Sequence, residues 1–283
     1  MPRPRKVAAV AAVGGGLVTG IYGFLFGEAL LARRAIGTTD ARPPTPDGVY
    51  GPDISREPIR LAVLGDSAAV GYGMERADQT PPAMLGYGLA HILDAPVEVR
   101  SWAVVGAKTV DVLESQLDLM GDYAPHVTVI VIGTNDVTHQ VPVWSSVRQL
   151  GQVVKRLVDE GSEVVVGTVP DLGTIKPIKQ PLRAYARQRS RVLARRQSNI
   201  VIAYGGRAVP LASLLGRLFT ERHEVMFGID RFHPSEAGYA NMVSVLLPAV
   251  AASVGGREAH DTAREVVRQS RRWHQRLRRD HVA

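Results

Sequence analysis

Cysteine is absent from this 283-residue chain, and aromatic residues make up only 6% of it. The first absence excludes disulfides, thiolate zinc sites, cysteine nucleophiles and lipid attachment through cysteine. The second leaves little material for a carbohydrate-stacking cleft. Acid is also in short supply: 27 Asp and Glu against 34 Lys and Arg give a net charge of +7. A basic balance fits an anionic membrane surface or a nucleic acid. No nucleic-acid motif accompanies the basic runs, so the membrane surface ranks higher and no nucleic-acid partner is expected. What is present is the composition of a globular protein, 45% hydrophobic and 22% charged, with enough chain to bury a sizeable core.

The charge-free run is VAAVAAVGGGLVTGIYGFLF, residues 7–26, preceded by Arg3, Arg5 and Lys6 and followed by Glu28, Arg33 and Arg34. About twenty apolar residues are enough to span hydrocarbon as a helix. The flanking cations give a weak positive-inside bias that puts the main domain outside. Residues 1–36 therefore read as an export signal or a retained anchor, with small residues Gly27 and Ala29 at cleavage spacing. The expected location is the cell envelope, anchored by this helix or secreted after cleavage. Residues 37–57 are proline-rich and read as a linker. A domain is expected over 58–255, and a basic, arginine-rich tail over 256–283.

Within that domain short apolar runs alternate with helical periods. Strands are expected at 60–64, 97–103, 127–132, 163–168 and 199–203, and helices near 81–93, 109–119, 144–160, 180–197 and 235–253. Strands alternating with helices argue for a parallel sheet covered on both faces, with its site beyond the carboxyl ends of the strands. Polar motifs fall on those rim loops: Gly65-Asp66-Ser67, the WAVVGAKT loop around Gly106, and VIGTNDVTH with Asn135 and Asp136. A fourth, GIDRFHPSEAGY, carries Asp230, His233 and Pro234. Acyl transfer needs a nucleophile, a base, a group that orients the base, and donors for the oxyanion. Ser67, His233 and Asp230 fit the first three roles. The amides of Ser67 and Gly106 and the carboxamide of Asn135 fit the fourth.

The four blocks, in this order, resemble the SGNH (GDSL-type) hydrolase family over about residues 58–253. The resemblance implies a three-layer αβα sandwich of flavodoxin-like type with a central parallel sheet. It implies Ser67 as nucleophile, Asp230 and His233 as its partners, and an oxyanion hole of Ser67, Gly106 and Asn135, with no cofactor and no metal. Ala68 departs from the leucine frequent after the nucleophile, and Ala69 breaks the G-x-S-x-G pattern of the α/β-hydrolase elbow. The expected activity is a serine esterase acting on a small ester or a lipid or glycan ester. Three readings stay beside it: an acyltransferase using the same site on a cell-envelope sugar or lipid, an inactive anchored binding module, and a metallophosphoesterase. Asp66 and Asp136 read as structural. The arginines at 183, 187, 189, 191, 195 and 196 read as a solvated helix face near the site, with an anionic-substrate patch as the alternative.

Overall fold

The computed structural model describes residues 43–51, 56–255 and 262. The segment 7–26 and the basic tail, Thr262 apart, lie outside the described residues. The sheet has six strands: β1 (Gly48–Tyr50), β2 (Ile59–Gly65), β3 (Val97–Ser101), β4 (Val127–Val131), β5 (Glu163–Gly167) and β6 (Arg207–Val209). Their order is β1-β3-β2-β4-β5-β6, parallel throughout except for the antiparallel edge strand β1. Leaving β1 aside, this is the flavodoxin-like order, in which the strand order reverses between β2 and β4 and opens a crevice at their carboxyl ends.

The helices are α1 (Ser67–Val70), α2 (Pro81–Leu93), α3 (109–119, with a π turn over Val112–Gln116), α4 (Thr134–Thr138) and α5 (Val143–Asp159). They continue with α6 (Leu182–Ala203), α7 (Leu211–Glu221), α8 (His223–Met226) and α9 (Glu236–Gly255). Successive strand residues point to opposite faces, and the sheet sorts them accordingly. Leu61, Val63, Val129 and Val165 meet Leu89 of α2 and Tyr239 and Leu246 of α9. Ala62, Leu64, Ile130 and Val166 meet Val112 of α3, Leu150 and Val154 of α5 and Val201 of α6. Two helical layers thus sandwich the sheet, as the resemblance implied.

Two parts of the sequence reading change. The run 199–203 is not a strand but the last turns of α6. Its buried positions, 190, 193, 194, 197 and 201, continue one helical face, while Ile202 is 64% exposed. The fifth parallel strand is the three-residue β6, after a Gly205-Gly206 turn. The sheet also begins earlier than Pro58. Gly48–Tyr50, inside the stretch read as linker, pairs with β3. Tyr50 packs into a notch left by Gly86 of α2, where a Cβ would press on its ring, and meets Tyr87 edge-on at 4.7 Å.

Candidate active site

The site grows from the end of β2. Gly65 stands at φ +136°, and a Cβ there would collide with the carbonyl oxygen of Val131. Only glycine lets β2 turn this close to β4. The buried side chain of Gln116, from α3, holds the same residue from both sides: Gly65 N donates to Oε1 and Nε2 donates to Gly65 O, each at 2.8 Å. The next residue, Asp66, caps α1 by accepting from Ala68 N at 3.0 Å. Ser67 is therefore the first residue of a rigidly placed helical turn. It is 7% exposed, and Gly71 in the left-handed region closes the turn by donating to Ser67 O at 3.1 Å.

His233 arrives from 166 residues away. Its Nε2 lies 3.0 Å from Ser67 Oγ, and its Nδ1 lies 2.6 Å from Asp230 Oδ2. The other Asp230 oxygen accepts from the amides of Phe232 and His233, both at 2.9 Å. This Asx-type turn folds the loop on itself, with Arg231 held at φ +56°. Gly228 N donates to His233 O at 2.9 Å and locks the loop base. Burial pushes the Asp230 carboxyl up, but the bonds from the imidazole and the two amides prevail and hold it below its ordinary value. Asp230 stays ionised opposite the ring. The ring is flanked by Tyr72, 4.4 Å between centroids, and by Phe232, 5.0 Å.

The oxyanion candidates lie on the neighbouring loops. Asn135 sits in the first turn of α4, and its Nδ2 donates to Ala107 O at 2.9 Å. That bond orients the carboxamide and leaves its second N–H for another acceptor. Gly106 has φ +86° with open space where a Cβ would stand, so backbone conformation rather than crowding asks for glycine here. The structure brings the three triad candidates into one hydrogen-bonded chain and ties Asn135 to the Gly106 loop.

An apolar cavity of about 70 Å³ opens beside Ser67, Ala68 and His233. Its walls include Leu172, Ile175, Leu211, Leu215, Phe219 and Phe227. Ala68 is part of its lining, so the departure from leucine leaves more room at the nucleophile. The arginine face is less free than the sequence suggested. Arg191 and Arg187 pair with the buried carboxylate of Asp171, itself a lining residue of the cavity, at 2.7 and 3.5 Å, and Arg189 donates to Val141 O at 2.6 Å. Among the described residues no cluster of His, Cys, Asp and Glu could hold a metal ion.

Sequence reasoning missed three contributors. Tyr239 is fully buried and donates to Tyr72 O at 2.9 Å, with Ser67 O 3.5 Å away. It thereby braces α1 from α9. Gln116 and Tyr72 act as described above. A buried glutamine or tyrosine carries no local signal, although Tyr239 lies within the quoted fourth motif.

The chain is similar to known proteins in sequence and in fold. Residues 63–240 match the GDSL-like lipase/acylhydrolase family. A GDSL-like esterase of Mycobacterium tuberculosis is 38% identical over 266 residues, 88% of this chain and 84% of that protein. Among solved structures, phospholipase A1 from Streptomyces albidoflavus superposes with TM-score 0.52 at 21% identity, covering 68% of this chain and 100% of that one. LAE5, a hydrolase from the metagenome of Lake Arreo, gives 0.57 at 18% identity, covering 70% and 95%. At these identities the two structures show the shared fold. With the family match over most of the folded domain, this chain belongs to the GDSL-like lipase/acylhydrolase family of serine ester hydrolases.

Proposed function

We propose that this protein hydrolyses carboxylic esters through a covalent acyl-enzyme on Ser67. Ser67 Oγ attacks the ester carbonyl while His233 Nε2 takes its proton. Asp230 fixes the imidazole with Nδ1–H toward its carboxylate and stabilises the imidazolium that forms. The carbonyl oxygen becomes an oxyanion that accepts from Ser67 N, Gly106 N and Asn135 Nδ2. Collapse of the tetrahedral intermediate expels the alcohol, which takes the proton from His233. Water, deprotonated by the same ring, then releases the carboxylic acid and restores Ser67.

The observation that carries this reading is the unbroken chain from Ser67 Oγ to His233 Nε2 at 3.0 Å and from His233 Nδ1 to Asp230 at 2.6 Å. The apolar cavity beside Ser67 fits the acyl half of the ester, and its volume favours short chains. Residues 7–26 are read as holding the domain on the outer side of a membrane, on the charge pattern of the sequence alone. The test is a serine-reactive fluorophosphonate. Stoichiometric labelling at Ser67, and loss of labelling and of ester turnover in Ser67→Ala, is expected; modification elsewhere with turnover intact removes the assignment.

A further inference from the structure

The chain enters the domain on the same side as the site. β1 runs antiparallel to β3, with Gly48 opposite Val99 and Tyr50 opposite Val97. Pro46 and Asp47 therefore lie at the carboxyl end of β3, where Asp47 Oδ1 accepts from Ser101 N at 3.0 Å. Val104 N, just beyond, donates to Gly65 O at 3.0 Å beside the nucleophile turn. The loops of this rim expose large apolar side chains. Val104 and Val105, directly before Gly106, are 51 and 44% exposed, Trp144 is 70% exposed, and Ile229, directly before Asp230, is fully exposed. Trp144 belongs to the same rim, because Ser146, in its turn of α5, lies 3.2 Å from Thr109 at the start of α3. One exposed apolar residue is ordinary; four on the loops around one site mark an interaction surface.

The same end of the molecule is cationic. Gln197 of α6 donates to Ile132 O at 3.1 Å and accepts from Val169 N at 2.8 Å, just past the ends of β4 and β5. The turns of α6 before Gln197 therefore stand beyond the strand ends. Arg183, Arg187, Arg191 and Arg195 recur there every four residues and line a groove of about 360 Å³. Asp171 neutralises part of this charge through Arg187 and Arg191. Among the described residues Arg183 and Arg195 have no ion-pair partner, and neither has Arg231, exposed two residues after Ile229.

We propose that the rim around Ser67 docks on the surface of an anionic lipid bilayer, with Val104, Val105, Trp144 and Ile229 entering the lipid and the arginines meeting its headgroups. An apolar patch by itself fits a protein partner equally well. The cationic border beside it, and the entry of the chain at this end from the side of residues 7–26, select a bilayer. Arginine suits the headgroup phosphates because its planar fork donates to two oxygens at once. An ester carried by the bilayer then reaches the cavity beside Ser67 without crossing bulk water. That last step rests on the ester-hydrolase reading of Ser67; the docking does not.

Because the chain has no cysteine, single cysteines can carry a fluorophore in the full-length protein. Val105→Cys and Ile229→Cys report the rim, and Asp122→Cys, exposed in the loop before β4, reports the opposite end of the sheet. Vesicles of equal parts phosphatidylglycerol and phosphatidylcholine, with a nitroxide on their acyl chains, should quench the two rim labels and spare the third. Phosphatidylcholine alone should quench the rim labels less, because the arginines then meet no net negative charge. Ile229→Ser combined with Trp144→Ser should lower turnover of a short-chain ester of a vesicle-borne lipid alcohol, relative to the same acyl group on a soluble alcohol, by about tenfold or more. Rim labels left unquenched overturn the proposal, whether or not the protein sediments with the vesicles, and so does equal quenching of all three labels. Quenching indifferent to phosphatidylglycerol removes its anionic half, and an unchanged turnover ratio removes delivery of the ester from the bilayer. In Ser67→Ala the quenching should persist, since docking needs no chemistry. Absence of fluorophosphonate labelling at wild-type Ser67 would instead strike the site reading and leave the quenching to decide the docking.

Discussion

Replacing Asp230 by asparagine and by alanine separates what this residue does for chemistry from what it does for the loop. In the asparagine variant Oδ1 can still accept from the amides of Phe232 and His233, now 2.9 Å away, so the turn survives. The atom facing His233 Nδ1 becomes an NH2 group. Two donors then oppose each other across a contact that is 2.6 Å in the wild type. The imidazole relieves this by placing its proton on Nε2, which turns a hydrogen-bond donor toward Ser67 Oγ and removes the base. Loss of the correct tautomer costs about 10⁴ in kcat where a triad works this way, about 5.5 kcal/mol at 1.36 kcal/mol per tenfold. Thermal stability should change little. The alanine variant loses the same activity and also both bonds to a charged acceptor, with a stability loss of about 2–3 kcal/mol. The pH dependence carries a sign. The Asp230 carboxyl is held below its ordinary value, so its stabilising contribution is present above the unfolded pKa of about 3.9 and is lost as pH falls through the lower folded value. The alanine variant should lack this acid limb. Turnover of a chromogenic short-chain ester and melting curves from pH 2.5 to 7 suffice. Asp230→Asn retaining more than about a hundredth of wild-type kcat would refute the orienting role.

Asn135→Ala should lower kcat by about 10²–10³ with KM little changed, because the carboxamide meets charge only in the transition state; Asn135→Asp should be at least as damaging, and an aspartate variant activated by added divalent metal would count against the serine mechanism. Along a series of esters kcat/KM should rise about fourfold per methylene, from ~0.8 kcal/mol of buried CH₂, until the 70 Å³ cavity is full. Leu215→Trp, which fills that cavity, should flatten the series while leaving acetyl esters accepted; an unchanged profile would place the acyl group elsewhere. Gly65→Ala should destabilise the protein by more than about 2 kcal/mol, since left-handed backbone alone costs 1–2 kcal/mol and the collision with Val131 adds to it; thermal melting measures this, and a neutral result would mean the β2 turn is soft.

The residue types of the site and most of the fold were legible in the sequence, because both are written in short local patterns. Asp230 and His233 lie three residues apart, so one tight loop brings carboxylate and imidazole together. The β-branched runs of β2, β4 and β5 and the proline start of α2 declare themselves by period and by cap. Other features were decided only when the chain closed. The run Ile200–Ala203 suits a strand or a helix, and burial of Val201 in line with Gln197 and Leu193 chose the helix. β1 is too short to signal itself and exists through pairing with β3 and the notch at Gly86. The 3.0 Å contact between Ser67 and His233 joins residues 166 apart. Gln116 and Tyr239 acquire their roles from burial beside the nucleophile, and burial belongs to the three-dimensional arrangement, not to any window of sequence.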